Sequence, residues 1–378
     1  MNAKTNKFAI IGGGIVGMTA AYYLSRAGLP VTVFDYGKGQ ATRAAAGIIC
    51  PWFSKRRNKA WYYLASHGAE FYHQLIEDLQ DDGYSSRDIY EQVGCLLLRK
   101  TQKALDWDQS QAKEKVKSSP SMGQVIPYYP QEVKEAFPLL QSKQPASLVT
   151  GAGRVDGNAL INLLKKLVID NNGKIIKGLA SIQVAQSGYE IHCGNYQQNF
   201  EQILLSPGPG LNDLLKPLQL HSDIQAQKGQ LFKIYHPQWQ NKAWPLVMAT
   251  GGIDILPFPN GEIVIGSSHE DKAGEDLKIQ PAILRQLKDK VAPFLSQVDQ
   301  YPLHQVKVGT RAFTPDKGVL VGPLPHHEAI WAISGLGSSG LTSGPYLAYQ
   351  WFLNATTNEH YLPENILSSS HYIKTRNI

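Results

Sequence analysis

Four apolar residues, Phe8-Ala9-Ile10-Ile11, run straight into Gly12-Gly13-Gly14-Ile15-Val16-Gly17, and a second apolar run, Val31-Thr32-Val33-Phe34, stops at Asp35. This pattern predicts a strand, a glycine turn, a helix over Met18 to Arg26 and a second strand that closes on a carboxylate. Such a unit is shaped for the pyrophosphate of an adenine dinucleotide. Gly12 permits the tight turn, Gly14 lets a phosphate come close to the backbone, and Gly17 lets the helix pack onto the strand. The helix start at Ile15 and Val16 offers N–H groups and a partial positive charge. Asp35 is placed to accept both ribose hydroxyls and to repel a 2′-phosphate, with Tyr36 beside it. Lys4 and Lys7 before an apolar stretch would also suit a signal peptide, but the glycines, Arg26 and the second strand argue against one.

The chain has 378 residues, 43% of them hydrophobic, enough for two packed cores. Its net charge of +6 is scattered. Lys55-Arg56-Arg57 and Lys113-Glu114-Lys115-Val116-Lys117 are short runs that read as solvated surface, so nucleic acid is not an expected partner. Mild basicity suits an anionic cofactor and a carboxylate substrate. Cys50, Cys95 and Cys193 are odd in number and show no metal spacing, so no metal is expected and a reduced, cytoplasmic setting is the simplest. No apolar run reaches membrane-spanning length without glycine or charge. Peripheral membrane contact stays open, as does assembly into a homo-oligomer.

Helices are predicted over 61–80, 101–118, 158–170, 281–294 and 345–353, with Asp156 capping the third. Strands are predicted at 95–98, 174–176, 191–193, 202–205, 229–235, 318–321 and 330–333, and within 253–266 around a turn at Pro259-Asn260-Gly261. Prolines at 120, 127, 130 and 138 interrupt the region between. The α/β texture therefore sits at the start, middle and end of the chain, with β-rich segments in between. The predicted architecture is a mixed α/β fold. A discontinuous dinucleotide domain (1–80, 146–215 and 306–378) carries an inserted substrate domain (81–145 and 216–305).

A second glycine loop, Gly335-Leu336-Gly337-Ser338-Ser339-Gly340-Leu341, follows a strand and opens a helix. Glycines packed there permit close backbone approach to a ligand, and a flavin ring needs such a site. Upstream, Arg311 stands between small and aromatic residues. It is either a two-pronged carboxylate anchor or half of a surface ion pair.

In these features the chain resembles the FAD-dependent D-amino acid oxidase family, which includes glycine oxidase, sarcosine oxidases and D-amino acid dehydrogenases. The matching motifs run in order: Gly12–Gly17 with Asp35; Thr42-Arg43-Ala44-Ala45-Ala46-Gly47; 153–160; Ser206-Pro207-Gly208; Lys228-Gly229-Gln230; 256–267; Arg311 with Pro315-Asp316; and Gly335–Gly340. The resemblance implies a Rossmann-like FAD domain with a substrate domain built on a mixed β-sheet. It also implies that Thr42, Arg43, Ala45, Ala46 and Gly47 lie along the cofactor, that Ala180 or Ser181 meets the adenine, and that Ser206 and Gly208 lie near the dinucleotide. Gly335 to Leu341 would line the flavin, Ile48 would lie at the site, and Arg311 would hold the substrate carboxylate.

Several positions depart from glycine oxidase. Asp254 stands where a tyrosine is usual, His269 where an apolar residue faces the substrate, Leu336 where histidine is frequent, and Ser338 where arginine is often found. Asp254 is either a contact for a cationic or larger amine or a surface residue. His269 is either a proton acceptor or polar contact, or an ordinary residue at a strand end. Gly309 occupies the position at which some relatives attach the flavin to cysteine, so non-covalent FAD is expected. The implied reaction is oxidation of the C–N bond of an amino acid or amine, with O2 or another electron acceptor. An NAD-dependent dehydrogenase and a non-catalytic flavin-binding protein are the alternatives.

Overall fold

A computed structural model describes residues 7–37, 39, 41–54, 56, 58–186, 188–357, 359 and 362–376. Lys4 of the rival leader reading, and Lys55 and Arg57 of the short basic run, lie outside the described residues.

The first apolar run, Phe8–Ile11, lies inside a six-stranded sheet. The order is Leu320–Leu324, His327–Ser334, Gln202–Leu205, Phe8–Ile11, Val31–Asp35, Lys174–Lys177. Neighbours are parallel, except for the hairpin that joins the first two. Both faces are covered, which is why these strands read as continuous apolar runs. Ile10, Val33 and Leu204 face a core shared with the helices Ile15–Arg26, Lys59–Asp81 and Gly340–Thr357. Ala9, Ile11, Phe34 and Leu205 face a second core closed by a small sheet, Ser181–Val184, Tyr189–Cys193 and Tyr196–Phe200.

The second large sheet has eight strands, in the order Leu303–Phe313, Gln225–Gln240, Asn260–Gly266, Ile253–Pro257, Leu246–Ala249, Cys95–Leu98, Ala146–Val149, Val125–Tyr128. On one face Phe232, Ile234, Ile253, Ile255 and Ile265 pack with Leu287 and Val291 of the helix Pro281–Val291. The opposite face, with Leu231, Leu256 and Val264, joins the core of the cofactor half. Ala146–Val149 and most of Leu303–Phe313 hydrogen-bond in this sheet, although boundaries at 146 and 306 would put them in the other domain. We propose boundaries near 150 and 314.

The last helix begins at Gly340, not at Pro345, which lies inside it. A proline has no N–H to give the carbonyl four residues back. That carbonyl, Leu341 O, instead accepts from Tyr72 Oη at 2.7 Å, so the helix runs through. Among the described residues no helix is long and apolar enough to cross a membrane.

Candidate active site

The turn after the first strand closes tightly. Gly12 has φ +116°, and a Cβ there would lie 2.2 Å from the Ser206 carbonyl oxygen. A Cβ at Gly17 would lie 1.9 Å from Gly12 O, so only glycine brings the helix this close to the strand. At Gly14 the space is open, with Thr42 Oγ1 the nearest atom at 3.7 Å. Gly14 is the N-cap and supplies no side-chain cap, which leaves the helix start available to an anion. Ile15 N–H donates to Thr42 Oγ1 at 3.1 Å, tying the second motif, on the short helix Ala41–Ala44, to the first.

Asp35 ends its strand as expected. Its Oδ1 accepts from Gly13 N (3.3 Å) and Gly37 N (3.2 Å), and Lys165 Nζ lies 3.1 Å from Oδ2. Lys165 was not foreseen; it reaches Asp35 from the helix Gly157–Asp170. A cavity of 330 Å³ opens here, lined by Asp35, Gly37, Arg43, Lys165, Ile175 and Lys177. Three cations to one carboxylate make this end attractive to anions, so repulsion of a 2′-phosphate by Asp35 is softened. Arg43 is held by Asn158 and by Asn162 (3.0 Å). Tyr36 is 57% exposed. Ala180 is buried in the second core and Ser181 is exposed; neither lines that cavity.

At the other end three segments converge. Gly47 O accepts from Val155 N at 2.8 Å, and Ile48 pairs with Arg154, so Ala45, Ala46 and Gly47 run beside a strand. Ser206 N donates to Ile11 O at 2.8 Å, and Ser334 Oγ donates to Gly208 O at 3.0 Å. Leu336 forms a bridge with Phe313, two residues past Arg311. The C-terminal glycine loop, Gly335 to Leu341, therefore abuts the strand that carries Arg311.

Arg311 lies across its neighbouring strand. It is paired with Gln227, and a Cβ at Gly229 would fall 2.5 Å from Arg311 Nη1. The glycine of Lys228-Gly229-Gln230 is thus the bed of the guanidinium. Nη1 donates to Gln227 Oε1 (3.1 Å) and Ser268 O (3.0 Å), and Nη2 to Ser267 Oγ (2.6 Å). These acceptors are neutral, and among the described residues no carboxylate forms an ion pair with Arg311. Burial draws its pKa down, partly offset by Glu270. The surface ion-pair reading of Arg311 therefore fails.

Asp254 is half-buried within its strand, not a surface residue, and burial pushes its pKa up to about 7. His269 is exposed at the rim. Partial burial, then the charge of Arg311, lowers its pKa, which keeps the ring neutral near pH 7. Among the described residues no cluster of His, Cys, Asp and Glu is placed to hold a metal ion.

Residues 7–350 match the family model described as FAD dependent oxidoreductase. The chain belongs to that family. The YurR protein of Bacillus subtilis (strain 168), an uncharacterized oxidoreductase, is 35% identical over 346 residues, covering 90% of this chain and 92% of that one. Glycine oxidase of Pseudomonas aeruginosa is 26% identical over 356 residues, with coverage of 90% and 92%. The crystal structure of iminodiacetate oxidase from Chelativorans sp. BNC1 superposes with a TM-score of 0.89 at 27% identity, covering 95% of this chain and 98% of that one. FAD is accordingly the cofactor of this family member, in place of the nicotinamide alternative. The open cradle at Gly14, a helix start whose N-cap residue has no side chain and the glycine loop at 335–341 fit it.

Sequence reasoning also missed Arg56. Its Nη2 donates to Ser338 Oγ at 3.3 Å, and its guanidinium lies 4.8 Å from the centre of the Trp61 ring. Trp61 Nε1 in turn donates to Ser339 Oγ at 2.9 Å. Arg56 thus meets Ser338 across 282 positions of sequence. Nothing local to either segment signals this.

Proposed function

We propose that this oxidoreductase oxidises the C–N bond of an amino acid or related amine that carries a carboxylate, with FAD held non-covalently. The observation that carries the reading is Arg311: a half-buried guanidinium with neutral partners, on the sheet face turned toward the cofactor half. Its Nε–H and second Nη2–H form an edge that suits a carboxylate with two parallel hydrogen bonds. Gly12, Gly14, Ile15, Val16, Gly17, Asp35, Thr42 and Gly335 to Leu341 would hold FAD, which would supply the hydride acceptor. Arg311 fixes the carboxylate and with it the orientation of the C–N bond. The imine released is hydrolysed by water to an oxo acid and ammonia, or to an aldehyde and an amine.

Arg56 favours a narrower class. It has no carboxylate partner among the described residues, and it is held at Ser338, on the loop that bridges to the Arg311 strand. Two unpaired guanidinium groups suit an amine with two acidic arms, in keeping with the likeness to an iminodiacetate oxidase. Anaerobic bleaching of the flavin by glycine, sarcosine, iminodiacetate, proline and D- and L-amino acids tests both levels. Bleaching by none of them refutes the reaction and favours a non-catalytic flavoprotein. Preference for sarcosine over iminodiacetate refutes the narrower class.

A further inference from the structure

We propose that Asp254 receives the substrate's ammonium group and takes its proton, so that the sheet between Arg311 and Asp254 is a cradle for a zwitterion. The inference rests on the reaction proposed above. Its basis is register. Leu231 is opposite Gly266, and Gly266 is opposite Asp254. Directly paired residues point to one face, so Asp254 shares the face of Leu231, the face turned toward the cofactor half. Ile253 and Ile255 confirm the alternation by packing on the other side. Gln227 and Arg311 are opposite each other on the same face, as are Gly229 and Gly309.

Gly229, Gly309 and Gly266 put no side chain on this face; the Arg311 guanidinium lies over Gly229 and Leu231 lies against Gly266, so the floor between the two charges is apolar. At one edge lies the Arg311 guanidinium, held by Ser267 at 2.6 Å. Past Gly266, one strand over, lies Asp254. Gly229, the bed of the guanidinium, is two strands across and two residues along from Asp254, roughly 12 Å between the backbones, and the hydrogen bond of Nη2 to Ser267, next to Gly266, draws the guanidinium nearer. An amino acid with a hydrogen bond at each end spans about 9 Å.

Asp254 has no hydrogen-bond or ion-pair partner among the described residues. Met248 is opposite it on the other flank. The titratable groups near it are the buried thiols of Cys95 and Cys50. Burial, then Cys50, raises the Cys95 pKa, so that thiol is neutral and offers no compensating charge. Arg154 donates to Pro257 O farther along the strand and is paired with Glu91. Arg311 and the neutral His269 complete the set. A half-buried carboxylate with no cation of its own is matched by a ligand that brings one. Its raised pKa, about 7, suits a base that works near neutrality. In the step, the ammonium N–H bond breaks and an O–H bond forms on Asp254. The freed lone pair becomes the C=N bond as the Cα–H leaves with its electrons to oxidised FAD.

The holoenzyme tests this in two ways. First, the anaerobic rate of flavin reduction is measured against pH for the wild type and Asp254→Asn, with the best amine of the screen. The wild-type rate should rise through about pH 7. The variant should lose about 10²–10⁴-fold at pH 7 and recover as the pH nears the amine's own pKa. An unchanged profile in the variant overturns the proposal. Second, wild-type binding of trimethylglycine and of 3,3-dimethylbutanoate, the isostere that lacks the cationic nitrogen, is followed by flavin absorbance. The ammonium-bearing ligand should be preferred above pH 7, and the preference should fade below it. Equal affinity at every pH overturns the proposal and does not depend on how the variant folds. If no amine reduces the wild type, the proposed reaction fails, and the binding pair still reads Asp254 alone.

Discussion

Asp254→Asn should stabilise the protein, and only above acidic pH. The carboxyl rises from an ordinary 3.8 to about 7 because burial disfavours its charged form. Ionising it in the folded state therefore costs about 4 kcal/mol, at 1.36 kcal/mol per tenfold. Solvent contact of the half-buried side chain lowers this to roughly 2–3 kcal/mol. The sign follows from the raised pKa: wild-type stability is fullest below about pH 4, declines as pH rises toward 7, and is level above it. Asparagine has no such decline. The difference between variant and wild type should grow from near zero at about pH 3 to roughly 2–3 kcal/mol at pH 8. For a chain of this length that is a shift in Tm of roughly 3–5 °C. Thermal melts of both proteins, saturated with FAD across this range, give the comparison. A buried amide without partners adds a constant offset, so the trend is the readout. A difference that stays flat with pH would show that Asp254 is not the strained carboxylate described above.

Arg311→Ala should lower kcat/KM for a carboxylate substrate by roughly 10²–10³, as for a truncated buried charge pair; unchanged turnover would remove Arg311 from the site. Gly17→Val should abolish FAD retention, because a Cβ there falls 1.9 Å from Gly12 O; a variant purified yellow, with normal flavin content, would contradict the tight turn. Arg56→Ala should raise KM at least about tenfold for a dicarboxylate amine and leave a monocarboxylate nearly unchanged. Equal effects on both would assign Arg56 a packing role against Trp61.

The cofactor half was legible because its signals are local. Gly12 to Gly17, Asp35 and the strand Gln202–Leu205 each sit in a run whose periodicity names the element. The helix at Gly340 was not, since Pro345 argues for a later start and only a hydroxyl 269 residues away, Tyr72, satisfies the carbonyl it strands. In the substrate half, the motif Lys228-Gly229-Gln230 was visible but its purpose was not. Gly229 is explained by Arg311, and that pairing exists only in the register of two long antiparallel strands. Asp254 was ambiguous between surface and site for the same reason: whether it faces out or in depends on which residue of 260–266 it meets. Lys165 and Arg56 act across sequence gaps that no short pattern spans.

Phe8–Ile11 takes Gln202–Leu205 as a neighbour, and that strand in turn takes His327–Ser334. During translation the first strand emerges about 300 residues before the last of these, a wait of roughly 15–60 s at 5–20 residues per second. Throughout, a growing parallel sheet is open along one edge and prone to stray pairing. The two glycine turns, at 12–17 and 335–341, cannot stand together until the second has left the ribosome. Completion of the sheet around its last parallel strand is thus a late step of synthesis.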